Sequence, residues 1–350
     1  MPHASGRAID ADGHIYEDVD ALRERIRHYA PAYDGPAVYG MFPSLDGFPR
    51  GGGRGKTIAT SPERWLEFLD RAHLDETVLY PTGGLSIGLV QNREWATVLA
   101  KAYNDWISDT YVRASPRFHS LALLPVQDIP AAVDELRRAV TKLGLAGGLL
   151  PAVHVVGRPL GDEWFDPIYA EAQRLGCALA VHGAPSRGLG FDYFDNMIKT
   201  HALSHPVSQI IQLTSFVLDG ALERFPDLRV AFLEAGSGWM LYMMDRLDYE
   251  WEGAYRAQAE ARGVRRAPSD YIARGNVYVS CELDEASLPL VVQRFPAGRI
   301  LFPSDYPHEK PDSSIIHEID EFWERTDLTE EMKHSIAVDS AVSFYRLDPR

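Results

Sequence analysis

Asp12 and His14 stand two residues apart in the apolar run Ala8-Ile9-Asp10-Ala11-Asp12-Gly13-His14-Ile15. Alternate side chains of an extended strand share a face. This carboxylate and this imidazole therefore point at one spot, where they are placed to hold a divalent metal. Near the other end of the chain, Ile300-Leu301-Phe302-Pro303-Ser304-Asp305 finishes in a second acidic group. Asp305 can add an oxygen ligand only if the fold brings both chain ends together, which a closed barrel does. Three more apolar runs end in polar groups, at His182, Glu234 and Glu282. Such groups are costly to bury unless they are paired or metal-bound. Each has an ordinary reading by itself: a hydrogen-bonded histidine, a loop carboxylate, or a turn beginning at Asp305 before Tyr306-Pro307. Their coincidence at five strand ends favours a metal site.

Other candidates are less specific. His201 and His205 are four apart, the spacing of H-E-x-x-H, but Ala202 stands where the protease base would be. Pro206 also disfavours helical geometry at His205. His205 remains a candidate acid–base residue, as does Glu234. His308 is close enough to Asp305 in sequence to orient it. His154 follows a strand and reads more readily as structural. Arg50 and Arg54, in a glycine-rich stretch, and Arg187 could clamp a carboxylate. Trp239 and Tyr242 could wall a pocket, with a core role equally open.

Eight β-like runs must position these groups: 8–15, 76–81, 119–125, 146–151, 178–182, 229–234, 276–282 and 299–305. Helix-like segments lie between them. One is Pro130–Leu143, with Asp128 and Pro130 as start signals; another is Asp166–Leu175, stopped by Gly176. Alternating strands and helices imply a parallel sheet, and eight units imply a (β/α)8 TIM barrel with catalytic groups at the C-terminal strand ends. The surplus length reads as long loops after strands 1, 5 and 6, at Asp34–Thr57, Gly183–Lys199 and Asp248–Ser269. Residues Ser313–Arg350 read as closing helices. No linker or repeat interrupts residues 1–350, which are expected to form a single domain.

Of the 350 residues, 45% are hydrophobic, enough for a large core, and the net charge is −15. That charge argues against nucleic-acid binding, which leaves a basic footprint. Two cysteines make a disulfide framework improbable and suggest the cytoplasm. No signal peptide or membrane span is expected.

Four blocks carry a family resemblance: Asp10-Ala11-Asp12-Gly13-His14, Val181-His182-Gly183, the segment Glu223 to Glu234, and Ile300 to His308. With these, nearly the whole chain resembles the amidohydrolase-related, metal-dependent barrels. That family includes aminocarboxymuconate-semialdehyde and resorcylate-type decarboxylases. The resemblance implies one divalent ion, zinc first and manganese as the alternative, held by Asp12, His14, His182 and Asp305. Asp12 stands where the family's His-x-His pair commonly begins, which makes manganese more plausible than in a His-x-His site. The resemblance also implies a homodimer in which one subunit can complete the other's site. One departure is clear: the decarboxylases typically carry a histidine after strand six, and here Glu234 takes that place. His205 could assume the histidine's role.

The function expected is non-oxidative decarboxylation of a small aromatic or unsaturated carboxylic acid, with His205 or Glu234 delivering the proton and Arg50 or Arg54 holding a second anionic group. Metal-assisted hydrolysis of a C–N, C–O or C–C bond is the close alternative. A barrel that has lost catalysis and binds a small ligand is the third.

Overall fold

A computed structural model describes residues 8–32, 42–43, 60–183, 189–308 and 310–348. The strands are β1 (Ile9–Ile15), β2 (Glu76–Pro81), β3 (Phe118–Ser120), β4 (Ala122–Leu123), β5 (Gly147–Pro151), β6 (Ala178–His182), β7 (Arg229–Leu233), β8 (Val277–Ser280) and β9 (Ile300–Leu301). They form two sheets, β1-β2-β3 and β4 through β9 in order, and every pairing is parallel. Every residue of β1, β2, β5 and β6 is buried. This is why these segments read as near-continuous apolar runs: both faces of a parallel sheet are covered.

The expected strand 119–125 is split. Leu121 alone separates β3 from β4. The expected strand 299–305 keeps ladder geometry only at Ile300–Leu301. Beyond it the backbone turns to β1 instead: Ala11 N donates to Phe302 O at 2.7 Å, Asp305 N to Asp12 O at 2.9 Å and His14 N to Tyr306 O at 2.7 Å. The first and last strands are thus neighbours, which brings Asp12 beside Asp305.

Helix starts follow their capping chemistry. The Asp128 side chain accepts from Ala131 N at the start of Ile129–Arg138. Gly176, at φ +63°, ends Asp166–Leu175. The chain after Pro311 is helical, as expected, at Asp312–Glu324, Glu330–His334 and Ser340–Tyr345. Two expectations need correction. The stretch 248–269 is not one loop: helix Gly238–Glu252 runs into it, and Arg256–Ala261 and the first residues of Pro268–Arg274 are also helical. Pro206 does not disturb His205, because helix Met197–Leu218 continues through it. Pro206 leaves the Ala202 carbonyl without an amide donor, but the helix is anchored across three strand ends. Gln209 Nε2 donates to Val181 O at 3.1 Å and to Leu233 O at 2.8 Å, and Gln212 Nε2 donates to Ala152 O at 2.7 Å. The expected loop Asp34–Thr57 falls almost wholly outside the described residues, as do Arg50, Arg54 and Arg187.

Candidate metal centre and acid–base pair

His14 and His182 reach the same carboxylate from different strands. His14 Nε2 lies 3.6 Å from Asp12 Oδ1 and 3.6 Å from Asp305 Oδ1. His182 Nε2 lies 3.3 Å from Asp12 Oδ1. The tautomers follow from the other ring nitrogens. His14 Nδ1 is 3.0 Å from Pro81 O, and His182 Nδ1 is 2.6 Å from Gly183 O. A carbonyl only accepts, so each Nδ1 carries a proton and each Nε2 turns a lone pair inward. Two lone pairs and a carboxylate oxygen facing one another repel unless a cation lies among them. Donors about 2.1 Å from a tetrahedral ion stand about 3.4 Å apart, which matches these separations. His14 Nε2 is buried without a hydrogen-bond partner among the described residues, so the donor set fits one divalent metal.

The electrostatics of His14 agree with this fit. Burial, with the nearby His308 and His182, holds His14 well below the ordinary histidine range, so it stays neutral. Burial also raises the Asp12 carboxyl, against the pull of His182. For His182 burial works downward, but the charge and hydrogen bond of Asp12 outweigh it and the net shift is upward. Asp12 is 2% exposed and Asp305 38%, so the set is closed on the strand side and open to water or substrate beside Asp305.

Asp305 is held by His308, whose Nδ1 is 2.9 Å from Asp305 Oδ1 and whose Nε2 is 2.8 Å from Thr82 Oγ1. The His308 ring also stacks on His14 at 4.2 Å. Asp305 and Glu234 both adopt positive φ, 51° and 57°, an uncommon conformation for residues with a Cβ that recurs at functional positions. At Glu234 the turn is fixed by its amide, which donates to Ser280 Oγ at 2.8 Å.

Glu234 stands between two imidazoles. Its Oε2 is 3.2 Å from His182 Nδ1, and its Oε1 is 3.8 Å from His205 Nδ1. His205 is buried on helix Met197–Leu218, with His201 one turn earlier at 4.6 Å between ring centroids. The approach is close because residue 183 is glycine: a Cβ there would stand 3.3 Å from both the Cα and Cβ of His205. The structure therefore gathers Asp12, His14, His182, Asp305, Glu234 and His205. Trp239 lies at the start of the helix that follows Glu234; its ring meets Phe232 and its Nε1 donates to Gly236 O at 2.8 Å.

A family model described as amidohydrolase matches residues 9–347. The chain belongs to the amidohydrolase family. The resemblance drawn from the motifs is borne out. This amidohydrolase is 27% identical over 292 residues to a 2-amino-3-carboxymuconate-6-semialdehyde decarboxylase of Dictyostelium discoideum, covering 82% of this chain and 77% of the relative. It is 25% identical over 299 residues to a gamma-resorcylate decarboxylase of Rhodococcus jostii, covering 81% and 87%. A solved structure of 5-carboxyvanillate decarboxylase from Novosphingobium aromaticivorans, with bound manganese and a nitrobenzoic acid, superposes with a TM-score of 0.77 at 20% identity, over 99% of each chain.

The sequence reading overlooked several partners of this site. Asp10 accepts hydrogen bonds from the segments carrying both metal-capable carboxylates. Glu17, raised by burial, accepts from Gly83 N at 3.0 Å and Gly84 N at 2.8 Å beside Thr82. Gln209 ties the His205 helix to β6 and β7. Only Asp10 had a visible signal, an acid in the middle of an apolar strand.

Proposed function

We propose that this amidohydrolase catalyses metal-dependent, non-oxidative decarboxylation of a small aromatic or unsaturated carboxylic acid. The observation that carries the reading is the acid–base pair Glu234–His205 set directly against the donor set of Asp12, His14 and His182. The curated relatives, named as decarboxylases, support it. A bound divalent ion supplies Lewis-acid stabilisation of the negative charge that develops as carbon dioxide leaves. His205 delivers the proton that replaces the carboxyl group on carbon, and Glu234 orients the His205 ring. Asp12, His14, His182 and Asp305 hold the ion. Two carboxylates among four donors favour manganese over the zinc expected first, and the solved carboxyvanillate decarboxylase binds manganese. Arg50 and Arg54 would hold a second anionic group, and Trp239 would border the substrate.

The reading includes one (β/α)8 barrel over residues 1–350, with long loops after its first and fifth strands. The hydrogen bonds between the β1 segment and residues 302–306 support its closure. It also includes a homodimer in the cytoplasm. Two buried, unpaired cysteines suit that compartment, and no helix among the described residues is long and apolar enough to cross a membrane.

Hydrolysis is the second reading. It is favoured by the position of Glu234, a carboxylate beside His182 that could take a proton from attacking water. The test is a panel of aromatic carboxylates, amides and lactones offered to the manganese- and zinc-loaded protein, read by carbon dioxide release. Release with an aromatic acid is the expected result. Turnover of amides or lactones with no carbon dioxide from any acid selects hydrolysis.

A further inference from the structure

Asp10 is fully buried in β1 and holds no position in the donor set. Its two oxygens nevertheless bind four donors from three segments. Oδ1 accepts from Asp12 N at 3.2 Å and from Ser304 N at 2.8 Å. Oδ2 accepts from Thr77 Oγ1 at 2.7 Å and from Ser304 Oγ at 2.9 Å. Asp12 is itself a metal-capable residue, and Ser304 immediately precedes Asp305. One oxygen atom thus bridges the backbones of the two carboxylates proposed to share the ion, although they lie at opposite ends of the chain. The neighbourhood is built around this group. The β1–β2 register shifts between Asp10 and Gly13, and a Cβ on Gly13 would come within 2.6 Å of Asp10 Oδ2, Thr77 Oγ1 and the Trp65 ring. Only glycine leaves room for the Asp10–Thr77 bond.

We infer that Asp10 is a positioning residue that sets the separation of Asp12 and Asp305, and through it the affinity for the divalent ion. The inference rests on the proposed metal set. It assigns Asp10 a geometric role: two accepting lone-pair directions aimed at the Asp12 and Ser304 amides. Asparagine can reproduce that geometry. Its carbonyl oxygen accepts from both amides, and its NH2 group faces two hydroxyls that can rotate to accept. Alanine cannot, and the two amides lose their common acceptor.

The experiment measures manganese binding to the metal-stripped, full-length protein by titration calorimetry, alongside urea unfolding of the same stripped proteins. Asp10→Ala is expected to weaken manganese binding 10- to 100-fold, the usual effect of removing a group that orients ligands. Asp10→Asn should stay within about 3-fold of wild type. Thr77→Val combined with Ser304→Ala removes both hydroxyl donors to Oδ2 and should weaken binding several-fold. This double variant decides the matter if Asp10→Ala does not fold. A purely structural role would lower the unfolding free energy and leave the manganese affinity of the folded protein unchanged. That result overturns the inference, as does Asp10→Asn binding as weakly as Asp10→Ala. A wild-type protein that binds neither manganese nor zinc instead overturns the metal set itself, and the positioning role with it.

Discussion

Acidification should destabilise this protein through one partly buried histidine, His154, which follows β5 and whose two ring nitrogens are shielded from water. Its ring packs edge-on against Phe165 at 5.5 Å, and neither ring nitrogen has a hydrogen-bond partner among the described residues. Burial alone lowers its pKa from 6.5 to about 4. The sign follows from proton linkage. Between pH 6.5 and 4 the unfolded chain binds a proton at this position that the folded chain refuses, so stability falls as pH falls through that window. The contribution is intact above pH 6.5 and lost in full below about pH 4. A shift of about 2.5 units at 1.36 kcal/mol each gives about 3 kcal/mol in total, of which about 2 kcal/mol is lost between pH 7 and pH 5. That is a sizeable part of the roughly 5–15 kcal/mol that holds a typical domain together. The assay is urea unfolding of wild type and His154→Leu at pH 7 and pH 5. Loss of metal in acid affects both proteins and cancels in the difference. His154→Leu should gain about 2 kcal/mol on wild type when the pH is lowered. A gain below about 0.5 kcal/mol would show that His154 is not held neutral by burial, and the reasoning would fail.

Two further outcomes bear on the chemistry. His205→Ala should keep its metal, measured by elemental analysis, and lose carbon dioxide release by at least about 100-fold; near-normal turnover would reject His205 as the proton donor. Gly183→Ala would press a Cβ against the backbone of His205, so kcat should fall about 10-fold with metal content unchanged, since a small misplacement of a reacting group is costly; an unchanged kcat would show that the spacing of His205 from β6 is not critical.

Much of this arrangement was legible in the sequence because parallel strands bury both faces. A run such as Ala178–Val181 leaves His182 conspicuous at its end, and the structure ends β6 at that residue. Asp12, His14 and Asp305 were legible for the same reason. Their meeting required only that the first and last strands be neighbours, which the backbone bonds of Ala11 and Asp305 display. Features that depend on tertiary partners were not legible. Pro206 predicts a break by local sterics, but the bonds of Gln209 to β6 and β7 come from residues distant in sequence. The end of the last strand was misread because residues 302–305 exchange ladder pairing for bonds to β1. Asp10 could be seen as an acid in an apolar run, yet its role depends on Thr77 and Ser304, which no local pattern connects to it.

The departure at Glu234 is better understood as a rearrangement than as the loss of a histidine. The ordinary glutamate pKa is about 4.3, so a carboxylate just past the end of β7 cannot simply replace an imidazole as a neutral acid near pH 7. What it can do is face two imidazoles at once. Its two oxygens face His182 Nδ1 and His205 Nδ1 at 3.2 and 3.8 Å. The proton on His182 Nδ1 goes to Gly183 O, with Glu234 Oε2 close by, which leaves Nε2 facing Asp12. The proposed proton donor, His205, lies on the helix that crosses above β6 and β7, close against Gly183, with that helix anchored by Gln209. The proposed metal set and the proposed proton donor share one carboxylate, so a change at Glu234 must act on both together.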